Sequence, residues 1–430
     1  MHKLCGSWFR ASGLLLGACL CLPAAQAQSA LTLAQALELA QTRSRQLPAQ
    51  DAAALAARER AVAAGPLPDP VLKASLTNMP VDGPDRFSLT RDFMTMRSIG
   101  LMQEFTRSDK RVARAARFAR EADVAVAARL LALVELRRAA ATAWLERHYL
   151  ERVRDEQAKL RREAVLQIEA ADAAYRGGRG SQADIFAARS AVARIDNEML
   201  QTTRQITTAQ TRLARWVGAA ADQPLAAAPS VDQLQLGLGD LMTRMEEHPR
   251  IVWLHQQEAA AAAQSDVARS ERRADWSLEL MYSQRGPAYS NMVSVNLSVP
   301  LQWDRAQRQD RELAATLATQ QQIRNERDET LRELIANARA IVLEWQNNRE
   351  RLALFDTQLL PLAGERTRAA LAAYRGGTVP LATVLEARRI EIDTRLDQLR
   401  LAMETATLWA SVEYMLPRPS DAMTKPEQKP

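Results

Sequence analysis

The chain has 430 residues, 47% apolar, 25% charged and only 5% aromatic, with a formal net charge of +6. Only 16 Gly and 18 Pro punctuate a sequence rich in Ala, Leu, Arg, Glu and Gln, which excludes collagen-like, disordered and turn-rich all-β proteins. Arg residues are spread among Glu and Asp as on solvated helix faces, so nucleic acid is not an expected partner; no apolar run near twenty residues follows the N-terminus, which excludes membrane helices but not short barrel strands.

Residues 1–27 read as a signal peptide. Lys3 and Arg10 mark a basic start, Ala11 to Leu22 is apolar, and Pro23-Ala24-Ala25-Gln26-Ala27 ends in an A-x-A cleavage pattern. Cys5, Cys19 and Cys21 all lie in this segment, so its removal excludes disulfides, thiolate metal sites and cysteine nucleophiles. An alternative is a lipoprotein box, Leu16-Gly17-Ala18-Cys19, with Cys19 as the acylated first residue.

A first repeat is expected over 28–218. It opens with helix from Leu33 to Ala64, broken at Pro48. Val71 to Met79 then alternates Leu72, Ala74 and Leu76 against Lys73, Ser75 and Thr77, as a strand does. A weaker mate follows at 95–105, across a loop containing Asp82-Gly83-Pro84-Asp85. From Asp109 to Arg176 there is neither Gly nor Pro, and apolar residues recur every three or four positions, predicting one very long amphipathic helix. Gly177-Gly178 supply positive φ for a reversal, and a second helix starts near Ser181.

A connection is expected over 219–239 and a second repeat over 240–416. Helix from Asp240 to Ala274, broken at Pro249, leads to strands at about 277–285 and 292–301. The latter is the clearest in the chain, with Ser294, Asn296 and Ser298 alternating against Val and Leu. Gln302 to Leu360 is again uninterrupted, Gly376-Gly377 mark a second reversal, and the last helix starts near Pro380. Residues 417–430 read as a disordered tail. The repeat is literal at the reversals: Ala173-Ala174-Tyr175-Arg176-Gly177-Gly178 recurs about 200 residues later as Ala372-Ala373-Tyr374-Arg375-Gly376-Gly377. Trp144 and Trp345 correspond upstream.

Helices this long need long partners, hence a bundle or tube. Four strands cannot close a barrel, and an open edge in lipid leaves backbone groups unpaired. If the strands sit in a membrane, three chains would share one barrel of twelve, an even number. Lys73, Ser75, Thr77, Ser294, Asn296 and Ser298 would then face a watery lumen, with Trp276 and Trp303 in an interfacial girdle. The competing reading is a small soluble sheet packed on the helices.

Tandem halves, a secretory signal, long helices, two hairpins and the Tyr-Arg-Gly-Gly reversals together resemble the TolC-like outer-membrane factors over residues 30 to 416. Leu67-Pro68-Asp69-Pro70-Val71-Leu72 and Gln103-Glu104-Phe105 are similar to the heavy-metal efflux branch. The resemblance implies a mainly α fold with a β-barrel contribution. Its two repeats of long helices plus a hairpin would form, as a homotrimer, a 12-strand barrel in outer-membrane lipid continued by a periplasmic α-helical barrel. It also implies a periplasmic adaptor protein and an inner-membrane transporter of the resistance-nodulation-division type as partners. Family acids after each reversal form a constriction, which by position falls on Asp184 and on Thr383 with Glu386; the bland alternative is that they are solvated helix-start acids. The tips Arg176, Gly177, Gly178, Arg375, Gly376 and Gly377 would contact the adaptor.

No enzyme motif is visible, and neither catalysis nor a cofactor is expected. His248 and His255 lack nearby carboxylates or thiols and make a poor metal site, while Met94, Met96 and Met102 read as hairpin packing before copper ligands. Two other classes stay open: a type I secretion or drug-efflux channel of the same architecture, and a periplasmic coiled-coil scaffold or adaptor without a barrel.

Overall fold

The computed structural model describes residues 30–178 and 180–418. The expected signal peptide, Cys19 with its lipidation, Arg179 and residues 419–430 of the expected tail lie outside the described residues. The chain runs α1 (Leu33–Arg43), α2 (Gln46–Ala63), β1 (Val71–Thr77), β2 (Met96–Phe105), α3 (Ser108–Arg176) and α4 (Gln182–Val217). It continues through α5 (Leu238–Thr243), α6 (Pro249–Ser270), β3 (Trp276–Gln284), β4 (Met292–Ser298), α7 (Gln309–Leu354), α8 (Leu360–Arg375) and α9 (Leu381–Glu413).

The 69 residues of α3 form one helix about 100 Å long. It is the spine of the fold, packing against α2, α4, α6 and α9. Alanine makes this possible: Ala125, Ala132, Ala140, Ala141, Ala164 and Ala171 are all buried along α3, and so small a side chain lets neighbouring helices approach closely without a bulky core. Each expected proline break needs a closer look. Pro249 is the first residue of α6, where its missing N–H costs nothing. Pro48 does not break the first helix. The interruption falls at Ser44 and Arg45, and Pro48 sits in the first turn of α2, which tolerates it for the same reason.

The second half departs from the first. The run from Gln302 onward becomes helical only at Gln309. It then passes through a π-turn, Phe355–Leu359, just ahead of Pro361 in α8. A proline cannot donate to the ladder, and the wider turn absorbs the mismatch.

The repeat is nonetheless exact in its hydrogen bonds at mid-height. The buried Trp144 indole donates to Leu31 O at 3.1 Å, and Trp345, its counterpart, donates to Val231 O at 3.2 Å. Trp409 donates to Gln233 O at 2.9 Å. Three indoles therefore strap two extended segments onto the bundle, around a core of Trp144, Leu145, Leu213, Trp345 and Trp409. Arg147 ties down the turn that follows α4, with its guanidinium donating to Ala221 O at 2.5 Å and Gln223 O at 3.0 Å.

The two hairpins are one sheet. Strands run in the order β1-β2-β3-β4, all antiparallel, and β2 pairs with β3 from Arg97↔Gln284 to Phe105↔Trp276. The chain thus leaves the sheet at Phe105, completes α3 to α6, and returns beside its own exit. All four junctions with helices lie at one end of the sheet and both hairpin loops at the other. Among the described residues no strand packs appreciably against a helix, so the sheet is not packed on the helices as the competing reading expected.

Candidate pore wall and helical tips

The sheet has two chemically distinct faces. Opposed residues share a face in an antiparallel pair, so the register sorts every side chain. One face carries Leu72, Leu76, Ile99, Leu101, Leu280, Val293, Val295 and Leu297, all exposed. The other carries Lys73, Ser75, Thr77, Ser294, Asn296 and Ser298, the six polar positions read from alternation. Sequence reasoning missed their partners. Lys73 Nζ meets Glu279 Oε2 at 2.7 Å across two strands, and the Ser98 and Ser283 hydroxyls lie 2.8 Å apart. Ser98 and Ser283 are buried at the centre of this face. Gly100 permits the close approach of β3 here: a Cβ there would stand 2.8 Å from Leu280 O. Trp276 stacks on Phe105 at 4.1 Å at the helix end, where Trp303 is also exposed.

The sheet is bolted to the helices by ion pairs invisible in the sequence. Lys110, in the first turn of α3, is buried with Asp275 at 2.7 Å and Glu271 at 3.3 Å. Asp275 also accepts the Arg107 N–H at 3.0 Å, fixing the angle at which α3 departs from β2.

At the far end of the bundle the two reversals are built alike. Gly177 and Gly376 donate to Ala173 O and Ala372 O, and Gly178 and Gly377 to Tyr175 O and Tyr374 O, each at 3.0 Å. Only the second glycine of each pair is left-handed: Gly178 has φ 73° and Gly377 φ 74°, whereas Gly177 and Gly376 lie at −81° and −79°. The expectation that both glycines supply positive φ is corrected accordingly. The helix ends on the first glycine, and the left-handed residue is the one beyond it. Arg176, Gly177, Gly178, Arg375, Gly376 and Gly377 are all exposed, with Arg176 paired to Asp172.

Just past the reversals, Ile185, Ala188, Leu381, Val384 and Ala171 pack the two hairpins together. Asp184 and Thr383 flank this seam. The Asp184 carboxylate closes a capping box, accepting from Ser181 N at 2.9 Å and Ser181 Oγ at 2.8 Å, while Ser181 Oγ accepts the Asp184 N–H. Thr383 is exposed in the first turn of α9. Glu386 is exposed one turn on, lining a groove of about 340 Å³ with Arg389, Arg194 and Asp393. Among the described residues no hydrogen bond or ion pair joins Asp184 to Glu386. Further up, a buried charge network ties α3 to α9. Glu391 is held by Arg388 at 2.7 Å and Arg395 at 2.8 Å; Arg395 reaches Glu156 at 3.1 Å, and Arg388 pairs with Glu163. Burial alone would raise the Glu391 pKa, but hydrogen bonds and these guanidinium charges hold it below the usual carboxylate value.

No protein-family model matches the sequence, and no characterised relative does. Solved structures match closely in shape. OprN, an outer-membrane channel, superposes with a TM-score of 0.75 at 16% identity over 89% of both chains. VceC, an outer-membrane protein of Vibrio cholerae, gives 0.71 at 19% identity over 88% of this chain and 94% of its own. CusC, whose structures concern folding and transmembrane channel formation, gives 0.72 at 16% identity over 90% and 92%. The chain therefore has the TolC-like outer-membrane channel fold, with a four-stranded sheet that is open in the single chain.

Proposed function

We propose that this chain is one third of an outer-membrane exit duct in a tripartite efflux system, and that the duct passes heavy-metal cations. The observation that carries the duct is the sheet itself: both edges, β1 and β4, are unpaired, one face is mainly apolar and largely exposed, and the opposite face is mainly polar. Alone, such a sheet is an aggregation hazard with unsatisfied edges. Three copies joined β4 to β1 satisfy every backbone group and place the apolar face against lipid. Lys73, Ser75, Thr77, Ser294, Asn296 and Ser298 then line the lumen.

The helices would continue the duct through the periplasm to tips that meet an adaptor protein and, through it, an inner-membrane transporter of the resistance-nodulation-division type. The exposed Arg-Gly-Gly tips suit that contact. Three copies each of Asp184 and Glu386 around the mouth would favour cations, with Thr383 between them. Of the two acids Asp184 is engaged by the capping box, and Glu386 stands 3.8 Å from the Arg389 guanidinium. The metal assignment rests on the Leu67–Leu72 and Gln103–Phe105 resemblance.

Two measurements test this. The purified protein should run as a heat-modifiable trimer and conduct ions in planar bilayers; a monomer extracted without detergent ends the duct reading. Deleting the gene should sensitise cells to zinc, cadmium, cobalt or copper; unchanged tolerance to all four, with sensitivity to organic drugs, would make it a drug-efflux duct.

A further inference from the structure

The polar face of the sheet contains an anomaly: methionine. Along four consecutive rows of that face, each row has one thioether. Met102 stands in the row of Val71, Glu279 and Asn296. Met281 shares the next with Lys73, Gly100 and Ser294, Met292 the next with Ser75, Ser98 and Ser283, and Met96 the last with Thr77. None of the four strand methionines is on the apolar face, where hydrophobicity alone would put them.

Nor do they fill a core. Met199, Met242, Met245, Met403 and Met415, in the helical part of the chain, each belong to or pack against a hydrophobic cluster. Met96, Met102, Met281 and Met292 belong to no such cluster among the described residues, and all retain solvent exposure. Their neighbours on the face are hydroxyls, an amide and the Lys73–Glu279 pair, which neutralises itself at 2.7 Å. The thioethers are thus the only soft donors on a surface of hard ones.

Rows on one face are about 7 Å apart along the strand. Met102, Met281 and Met292 lie on successive strands and successive rows, so each is the diagonal neighbour of the next. At that separation long side chains reach one another. Thioethers select soft monovalent cations such as Cu(I) and Ag(I) over hard ions and over borderline Zn(II). We infer that Met102, Met281 and Met292 form a ladder of weak soft-cation sites running up the polar face from the helix end of the sheet toward its loop end, each site shared by two neighbouring thioethers. A cation held between two neighbouring thioethers exchanges one of them for the next without any change of oxidation state, and two-thioether affinity is low enough to let it leave. The inference rests on the duct reading for its transport role, and it narrows the cargo to soft monovalent cations.

The test uses the purified, detergent-solubilised full-length protein and Ag(I) alone, which does not cycle redox state. Hydrogen peroxide converts accessible thioethers to sulfoxides, and peptide mass spectrometry reads each methionine separately. With Ag(I) at about ten times its Kd, oxidation of Met102, Met281 and Met292 should slow about tenfold, since only the unliganded fraction reacts. Met94, exposed in the loop outside the ladder, serves as the internal reference and should slow far less. Met281→Leu, close in volume, removes the middle rung and should abolish most of the protection at Met102 and Met292. Three results would overturn the inference: equal oxidation with and without Ag(I), equal protection by Zn(II), or undiminished protection at Met102 in Met281→Leu. Ion conductance of the wild-type protein in bilayers tests the duct separately, so a conducting protein without Ag(I) protection sinks the ladder and leaves the duct standing.

Discussion

His248 makes the stability of this protein depend on pH in a calculable way. It caps α6, with Nδ1 accepting the Arg250 N–H at 3.1 Å, and it is buried. Burial, reinforced by the positive charges of Arg138 and Arg250, pushes its pKa from 6.5 down to about 4. The folded chain therefore keeps the imidazole neutral over a range in which the unfolded chain protonates it. The corresponding stability is fully present above pH 6.5 and is lost as pH falls toward 4. The whole difference is worth about 3 kcal/mol, and about 2.5 kcal/mol of it is gone by pH 4.5. His248→Asn retains an N-cap acceptor but cannot titrate. Thermal unfolding of both proteins in detergent between pH 7.5 and 4.5 isolates the effect, because every other titrating group, including His148 with its own lowered pKa, is common to both. The wild type should lose about 2.5 kcal/mol relative to His248→Asn as the pH drops. A difference that stays flat with pH would show that this imidazole is not held neutral by its surroundings.

The repeated indole contacts predict that Trp144→Phe and Trp345→Phe each cost about 1 kcal/mol in thermal stability, by removing a donor to a strap carbonyl; unchanged melting in both would discount the strap. At the second tip Gly377→Ala should destabilise by about 1–2 kcal/mol, whereas Gly376→Ala should be neutral or slightly stabilising, read as the rate of proteolytic nicking there. Equal rates in the two would contradict the assigned left-handed residue. Asp184→Asn with Glu386→Gln removes the mouth charge while sparing hydrogen bonding at the cap, and should raise single-channel conductance and lower cation preference. Conductance and selectivity like those of the wild type would take these residues out of the gate.

How far the sequence could be read varied with the range of the interaction concerned. The bounds of α3 were visible because an absence of Gly and Pro is a local property, and the start of α4 because Ser181, a good helix starter, follows the Gly177-Gly178 reversal. The polar set on β1 and β4 was visible because strand alternation has a period of two. The proline at position 48 was misread because a proline is disruptive in a helix interior and harmless in the first turn, and the pattern alone did not locate that turn. Of the tip glycines, the repeat marked both and the backbone geometry picked one.

What the chain's own order of residues decided is therefore a set of local elements: two literal reversals, one unbroken spine, and strands with one polar and one apolar side. Tertiary structure decided which of them meet. The pairing of Phe105 with Trp276 joins positions separated by the whole of α3 to α6, Lys110 finds Asp275 across the same gap, and Arg388 and Arg395 of α9 find Glu163 and Glu156 on α3. The methionine ladder belongs to this second class. Met102, Met281 and Met292 carry no mutual signal in the sequence, because register between strands is set by closure of the sheet and not by spacing along the chain.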